Sequence, residues 1–259
     1  MLCVLSPAKT LDFESRVRTK KHSEPRMLRQ TAGLIEVLRT KTADDLRRLM
    51  GISEELAVLN VERYRRYESE HTRSNARPAL LAFAGDVYRG MRAGDFDARD
   101  LTESQKTVRI LSGLYGMLRP LDLIQPHRLE MGTSLATVRG RNLYEWWGER
   151  ITDALRRDVE QSPGTCAVVN LASKEYFRAV DVARLDCPVI HPRFEEEGRD
   201  GRRRVVSVRA KQARGAMAGW LVRHRIRAVS RLVDFDELDY EHDTGSSTRD
   251  EPVFVRRGA

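Results

Sequence analysis

The chain has 259 residues, 41% hydrophobic, 32% charged and 7% aromatic, a globular composition that excludes collagen-like, mucin-like and disordered readings. Net charge is +8 and is carried mostly by arginine, since only seven lysines occur; this favours polyanion partners, and arginine-rich codon usage gives the same excess. No apolar run reaches the roughly 20 residues of a bilayer span and Met1–Ser6 lacks a basic n-region, so a cytoplasmic protein with no membrane partner is expected.

Leu2–Leu5 reads as a buried first strand, ended by Ser6-Pro7. Helical spacing runs over 26–40, then over 43–50 and 53–66, with Thr42 and Ser53 as N-caps. The run 79–83 fits strand or helix. Helices are expected over 102–111, with Thr102 as N-cap, over 142–158 and over 211–226. Cys166–Leu171 reads as a central strand and Val189-Ile190 begins another. Residues 203–209 alternate as a strand, with a hairpin at Gly201. Phe235 and Val253–Val255 are late strand-like pieces around the polar loop 241–250. Without a repeat, linker or composition break, the reading is α/β or α+β in one domain, 1–259.

Cys3, Cys166 and Cys187 are far apart and sit beside apolar residues, so each reads as a small core residue. No two of the six histidines are three or four residues apart, and HExxH, GxSxG, GxGxxG and kinase signatures are missing. Neither a metal nor a cofactor is expected.

Ser6-Pro7-Ala8-Lys9-Thr10 follows the first strand, where α/β sheets place ligands. Ser6 and Thr10 can hydrogen-bond a phosphate and Lys9 can neutralise it; an ordinary turn with a solvated lysine fits as well. Asp86, after Gly85, is either a carboxylate presented to a cleft or a turn residue, and nothing in the sequence brings it to Glu130. Asn170 and Ser173 follow the central strand and can orient a ligand. Lys211 and Arg214 share a helix face and can join Lys9 in one anion site. That helix has a small-residue face, Ala213, Gly215, Ala216, Ala218 and Gly219.

Ser112-Gly113-Leu114-Tyr115-Gly116 is the most informative local pattern. Glycines flanking an apolar-aromatic pair let backbone N–H groups approach a phosphate, the logic of a helix-hairpin-helix. Lys106 and Arg109 before it and Arg119 after it would add contacts to DNA without reading bases. A packing turn is the other reading.

Seven motifs occur in order: Ser6-Pro-Ala-Lys-Thr-Leu-Asp12, Gly85-Asp-Val-Tyr88, Leu111-Ser-Gly-Leu-Tyr-Gly116, Leu118-Arg-Pro-Leu-Asp122, Arg128-Leu-Glu-Met-Gly132, Asn170-Leu-Ala-Ser-Lys-Glu-Tyr-Phe177 and Ala210-Lys-Gln-Ala-Arg-Gly215. Together they resemble the YaaA family of bacterial peroxide-stress proteins, formerly a domain of unknown function, over Met1 to about Val255. The resemblance implies a single α/β domain with a basic cleft, a helix-hairpin-helix-like element at 111–116, DNA binding, and a role in limiting free iron under hydrogen peroxide. Two departures are visible: Gln212 stands where a second lysine is usual, and the tail 243–248 is variant, with Pro252 interrupting the last strand.

Two function classes follow. One is a monomeric DNA-binding stress protein gripping double-stranded or distorted DNA through phosphates. The other is an enzyme acting on a nucleotide or nucleobase with Lys9, Asp86, Tyr88, Glu130, Asn170 and Lys211. Clustering of Ser6, Lys9, Asn170 and Lys211 in a closed pocket favours the enzyme; an open basic groove including Gly113–Arg119 favours DNA.

Overall fold

The apolar run Leu2–Leu5 becomes the central strand of a five-stranded sheet, every residue of it buried. Val108–Ser112 and Val168–Asn170 flank it in parallel, at Cys3↔Val108 and Leu2↔Val168. Val189–Ile190 extends the sheet in parallel beyond Val168–Asn170, and Gly116–Leu118 closes the other edge antiparallel. The structure is a computed structural model describing residues 1–257. A four-stranded sheet has the order Arg203–Arg204, Arg193–Glu197, Val253–Arg257, Tyr240–His242. Helices cover both, and one hydrophobic cluster runs from Met1 to Phe254. The architecture is mixed α/β in a single domain.

The helices Leu28–Arg39, Ala43–Met50 and Glu54–Arg66 stand where the spacing places them, the latter two capped by Thr42 and Ser53. The run 79–83 divides into a one-turn helix, Ala79–Ala82, and a short strand, Phe83–Ala84. The expected helix 142–158 is broken at Gly148 (φ 49°) into Leu143–Trp147 and Arg150–Gln161. Strand Arg203–Arg204 pairs with Glu196–Glu197 through a turn carrying Gly201, and the chain is already helical at Ser207. The alternation over 205–209 is therefore helix entry rather than strand. Pro252 lies just ahead of the last strand, with its carbonyl accepting from Arg193 N–H. Cys3 is buried as expected, whereas Cys166 is exposed and Cys187 partly so.

The main correction concerns 102–119. The helix is Ala98–Thr107, capped by Asp97, and from Val108 the chain is strand. A strand buried on both faces is nearly continuously apolar, so its period does not separate it from a helix. Residues 111–116 form the tip of an antiparallel hairpin between two strands, not a connection between two helices.

Three glycines then set a close helix contact. Ideal Cβ atoms at Gly90, Gly215 and Gly219 would lie 2.0 Å from Gln212 O, 1.7 Å from Val87 O and 2.5 Å from Met91 O. Only glycine allows Asp86–Met91 and Ser207–Arg223 to pack backbone against backbone this way. The small-residue face is thus spent on packing, and the turn with exposed Lys211 and half-buried Arg214 is carried beside Gly85–Tyr88.

Candidate functional site

Three parallel strands point their carboxyl ends at one place. The chain leaves the central strand towards Val108–Ser112 on one side, and leaves Val168–Asn170 towards Val189–Ile190 on the other. Between strands whose connections part in this way a crevice opens, the usual ligand position in α/β sheets. Ser6 and Ser173 meet across it: Ser173 N–H donates to Ser6 Oγ at 2.8 Å.

A cavity of about 460 Å³ opens there, lined by residues from 6–10, 84–89, Ser112, 127–130, 171–176, Lys211 and Arg214. Its size suits a small ligand. Lys9 Nζ lies 2.7 Å from Glu130 Oε2, and Arg128 Nη2 is 3.2 Å from Glu130 Oε1. Asp86 pairs with Arg89 at 2.8 Å. Tyr88 is buried, donates its O–H to Ser6 O at 3.0 Å, and is pushed well above the usual phenol pKa by that burial. Gly132 N–H donates to Glu175 Oε1 at 2.8 Å, tying 128–132 to the helix after Ser173.

Two groups carry the electrostatics. His127 is buried and its Nδ1 sits 2.8 Å from Gln125 O, so Nδ1 holds the proton. Burial lowers its pKa to about 4, which keeps the ring neutral at pH 7 with Nε2 as an acceptor. The guanidinium of Arg214 is partly buried, burial lowers its pKa, and no carboxylate or hydrogen-bond acceptor partners it among the described residues. Lys211 is exposed beside it and has no ion pair among the described residues.

The structure therefore brings Ser6, Lys9, Thr10, Asp86, Tyr88, Glu130, Lys211 and Arg214 onto one cavity. Asn170 is not among its walls: its Oδ1 accepts from Ala172 N–H and its Nδ2 faces His191. His127, Arg128, Glu175 and Tyr176 line it as well. The motif at 128–132 pointed to Arg128, whereas no local signal marked His127.

Of the expected hairpin contacts, only Ser112 lines this cavity. Ser112, Leu114 and Tyr115 are at most 1% exposed. The N–H of Tyr115 donates to Ser112 Oγ, and Gly113 O accepts from Trp147 Nε1 at 2.9 Å. An ideal Cβ at Gly113 would sit 2.3 Å from Leu129 O; one at Gly116 (φ +70°) would sit 2.6 Å from Met27 Sδ. Arg109 is buried against Asp158, and Arg119 holds Asp122 and Glu24 O. Lys106 is exposed, in a separate hollow with Arg109 and Asp158. The tip is packed inside the protein rather than presented to a DNA backbone; its glycines let the hairpin lie against Leu129-Glu130, and so help position the Glu130 carboxylate.

A model of the family described as peroxide stress protein YaaA matches residues 1–245. The chain belongs to the peroxide stress protein YaaA family. It is similar to proteins named UPF0246 protein from Tolumonas auensis, 49% identical over 256 residues, and Cellvibrio japonicus, 46% identical over 256 residues. Each alignment covers 99% of this chain and 98% of the relative. Among the described residues of this YaaA-family chain, no helix is long and apolar enough to cross a membrane.

A second feature adjoins the cavity. An open groove of about 860 Å³ shares Ala84, Gly85, Tyr88 and Arg89 with it. Arg16, Arg18, Lys20 and Lys21 line the groove, all exposed and none in an ion pair among the described residues. Lys21 Nζ donates to Ala98 O and Thr102 Oγ1.

Proposed function

We propose that this YaaA-family protein binds DNA along the basic groove and admits one nucleotide or nucleobase into the adjoining cavity. Arg214 carries the reading. A partly desolvated guanidinium without a partner is costly, and a planar oxyanion that takes its fork bidentately recovers that cost. Lys211 and Lys9 add charge on the same walls, and Ser6 and Thr10 add hydroxyl groups. The run Arg16–Lys21 along the adjoining groove suits a phosphate backbone gripped without base readout.

Within the cavity, neutral His127 offers an acceptor to a base N–H, while Asp86, Glu130 and Glu175 are the carboxylates on its walls. These groups support chemistry on a nucleotide or nucleobase, because a base must leave the stack to reach them. The iron effect implied by the family resemblance would run through another component. Among the described residues no three His, Cys, Asp or Glu side chains are placed to hold a metal ion.

Fluorescence anisotropy with a labelled nucleoside monophosphate and with labelled duplex and single-stranded DNA tests this. Arg214→Ala should weaken nucleotide binding about 10- to 100-fold, as loss of a charge-assisted hydrogen bond does. Unchanged affinity in folded Arg214→Ala and Lys211→Ala would remove the cavity from the reading.

A further inference from the structure

Cys166 and Cys187 precede two parallel strands by the same number of residues. Val168 pairs with Val189 and Val169 with Ile190, and Val168 N–H donates to Pro188 O at 2.9 Å. Cys166 and Cys187 each stand two residues ahead of the paired Val168 and Val189, in the bends that lead into these neighbouring strands. Neighbouring strands lie about 4.8 Å apart, inside the Cα window of roughly 4.4–6.8 Å that a disulfide spans without backbone movement. The two thiols are near enough that Cys166 raises the pKa of Cys187. Cys166 is exposed, Cys187 is partly exposed, and Cys3 is buried in the central strand.

We propose that Cys166 and Cys187 are a hydroperoxide-reactive dithiol that closes to a disulfide. The inference stands apart from the cavity and groove. The roles follow from exposure. Cys166 reaches solvent, so its sulfur attacks the peroxide: an S–O bond forms, the O–O bond breaks, and water leaves with the proton of the Cys166 thiol. The Cys187 sulfur then attacks the Cys166 sulfenic acid: the S–S bond forms, the S–O bond breaks, and a second water leaves with the Cys187 proton. Two thiols and one hydrogen peroxide give one disulfide and two waters. Burial, followed by the neighbouring Cys166, pushes the Cys187 thiol up to about 11, which suits the resolving role better than the attacking one. The bond would link the segments leading into the two strands. A dithiol reductant would reopen it by exchange.

The test treats the reduced full-length chain with hydrogen peroxide in slight excess, then quenches and denatures it without reductant. The expected result is a loss of two hydrogens in intact mass, one remaining titratable thiol, and a linked pair of peptides carrying Cys166 and Cys187. In Cys187→Ser, dimedone should label Cys166; in Cys166→Ser, the thiols should stay reduced at the same dose. Circular dichroism checks that both variants are folded, and the wild-type chain decides the point without them. Three free thiols after treatment, Cys166 driven to sulfinic acid with Cys187 still free, or a cross-link between two chains would each overturn the proposal.

Discussion

Lys9 and Glu130 face each other across the cavity mouth, with Nζ 2.7 Å from Oε2. The pair joins the loop after the central strand to the segment that the Gly113 turn supports. It also means that a carboxylate of the protein occupies the ammonium an incoming anion would use. Lys9 is 63% exposed, so the pair is worth about 0.2–1 kcal/mol. Glu130→Gln should therefore tighten binding of a nucleoside monophosphate roughly two- to five-fold, read by calorimetry at fixed ionic strength. Weaker binding would show that Glu130 itself holds the ligand.

DNA affinity should fall with salt in proportion to the groove cations engaged. Arg16, Arg18, Lys20 and Lys21 supply up to four phosphate contacts. The slope of log affinity against log salt should be roughly −3 to −4, at about −0.9 per phosphate. Arg18→Ala and Lys20→Ala should each make it about one unit shallower, for all sequences alike. A slope unaffected by both would take DNA out of this groove.

Gly113→Ala and Gly116→Ala should act on stability. The new methyl at Gly113 meets the Leu129 carbonyl, and the one at Gly116 meets Met27 and Trp147 in a left-handed backbone. Each should cost about 2–4 kcal/mol in urea unfolding. The DNA salt slope of whatever remains folded should not change.

Asp158 sits between Arg26 and Arg109 in a buried ion pair. Burial alone would raise its pKa; the two guanidinium groups more than reverse this and hold it below the usual carboxylate value. A carboxyl depressed on folding stabilises fully above its unfolded pKa and loses that stability as pH falls through the folded one. The wild type should thus lose stability progressively below about pH 4. Asp158→Asn should be less stable at neutral pH by about 3–5 kcal/mol, because Arg109 is left buried without a counter-charge. Its stability should depend less on pH in the acid window. Denaturant melts at several pH values decide both points.

The sequence was most legible where local chemistry determines structure. Thr42 and Ser53 cap their helices because a side-chain oxygen can take an orphan N–H wherever the chain goes next. Leu2–Leu5 reads as a buried strand from its apolar run alone. Val108–Ser112 does not, since its pattern continues a helix and only its neighbours on the sheet decide. The site divides similarly. Ser6, Lys9, Lys211 and Arg214 could be assigned to one sheet edge from strand ends and helix face. Asn170 was misplaced because the turn at Ala172 and His191 take its amide. His127 reaches the cavity only through tertiary packing. Gly113 and Gly116 were recognised as close backbone approaches, but sequence does not say whether a phosphate or Leu129 stands opposite.

The glycine seam between Asp86–Met91 and Ser207–Arg223 also bears on how the cavity can breathe. Its contacts are backbone against backbone, so no side chain there can swing aside to let one helix slide past the other. Lys211 and Arg214 travel with Asp86 and Tyr88 as one rigid jaw. Tyr88 O–H on Ser6 O ties the Ser6–Thr10 loop to that jaw, so the compliance needed to admit and release a ligand falls to the Arg128–Gly132 segment, which the Lys9–Glu130 pair latches to the loop.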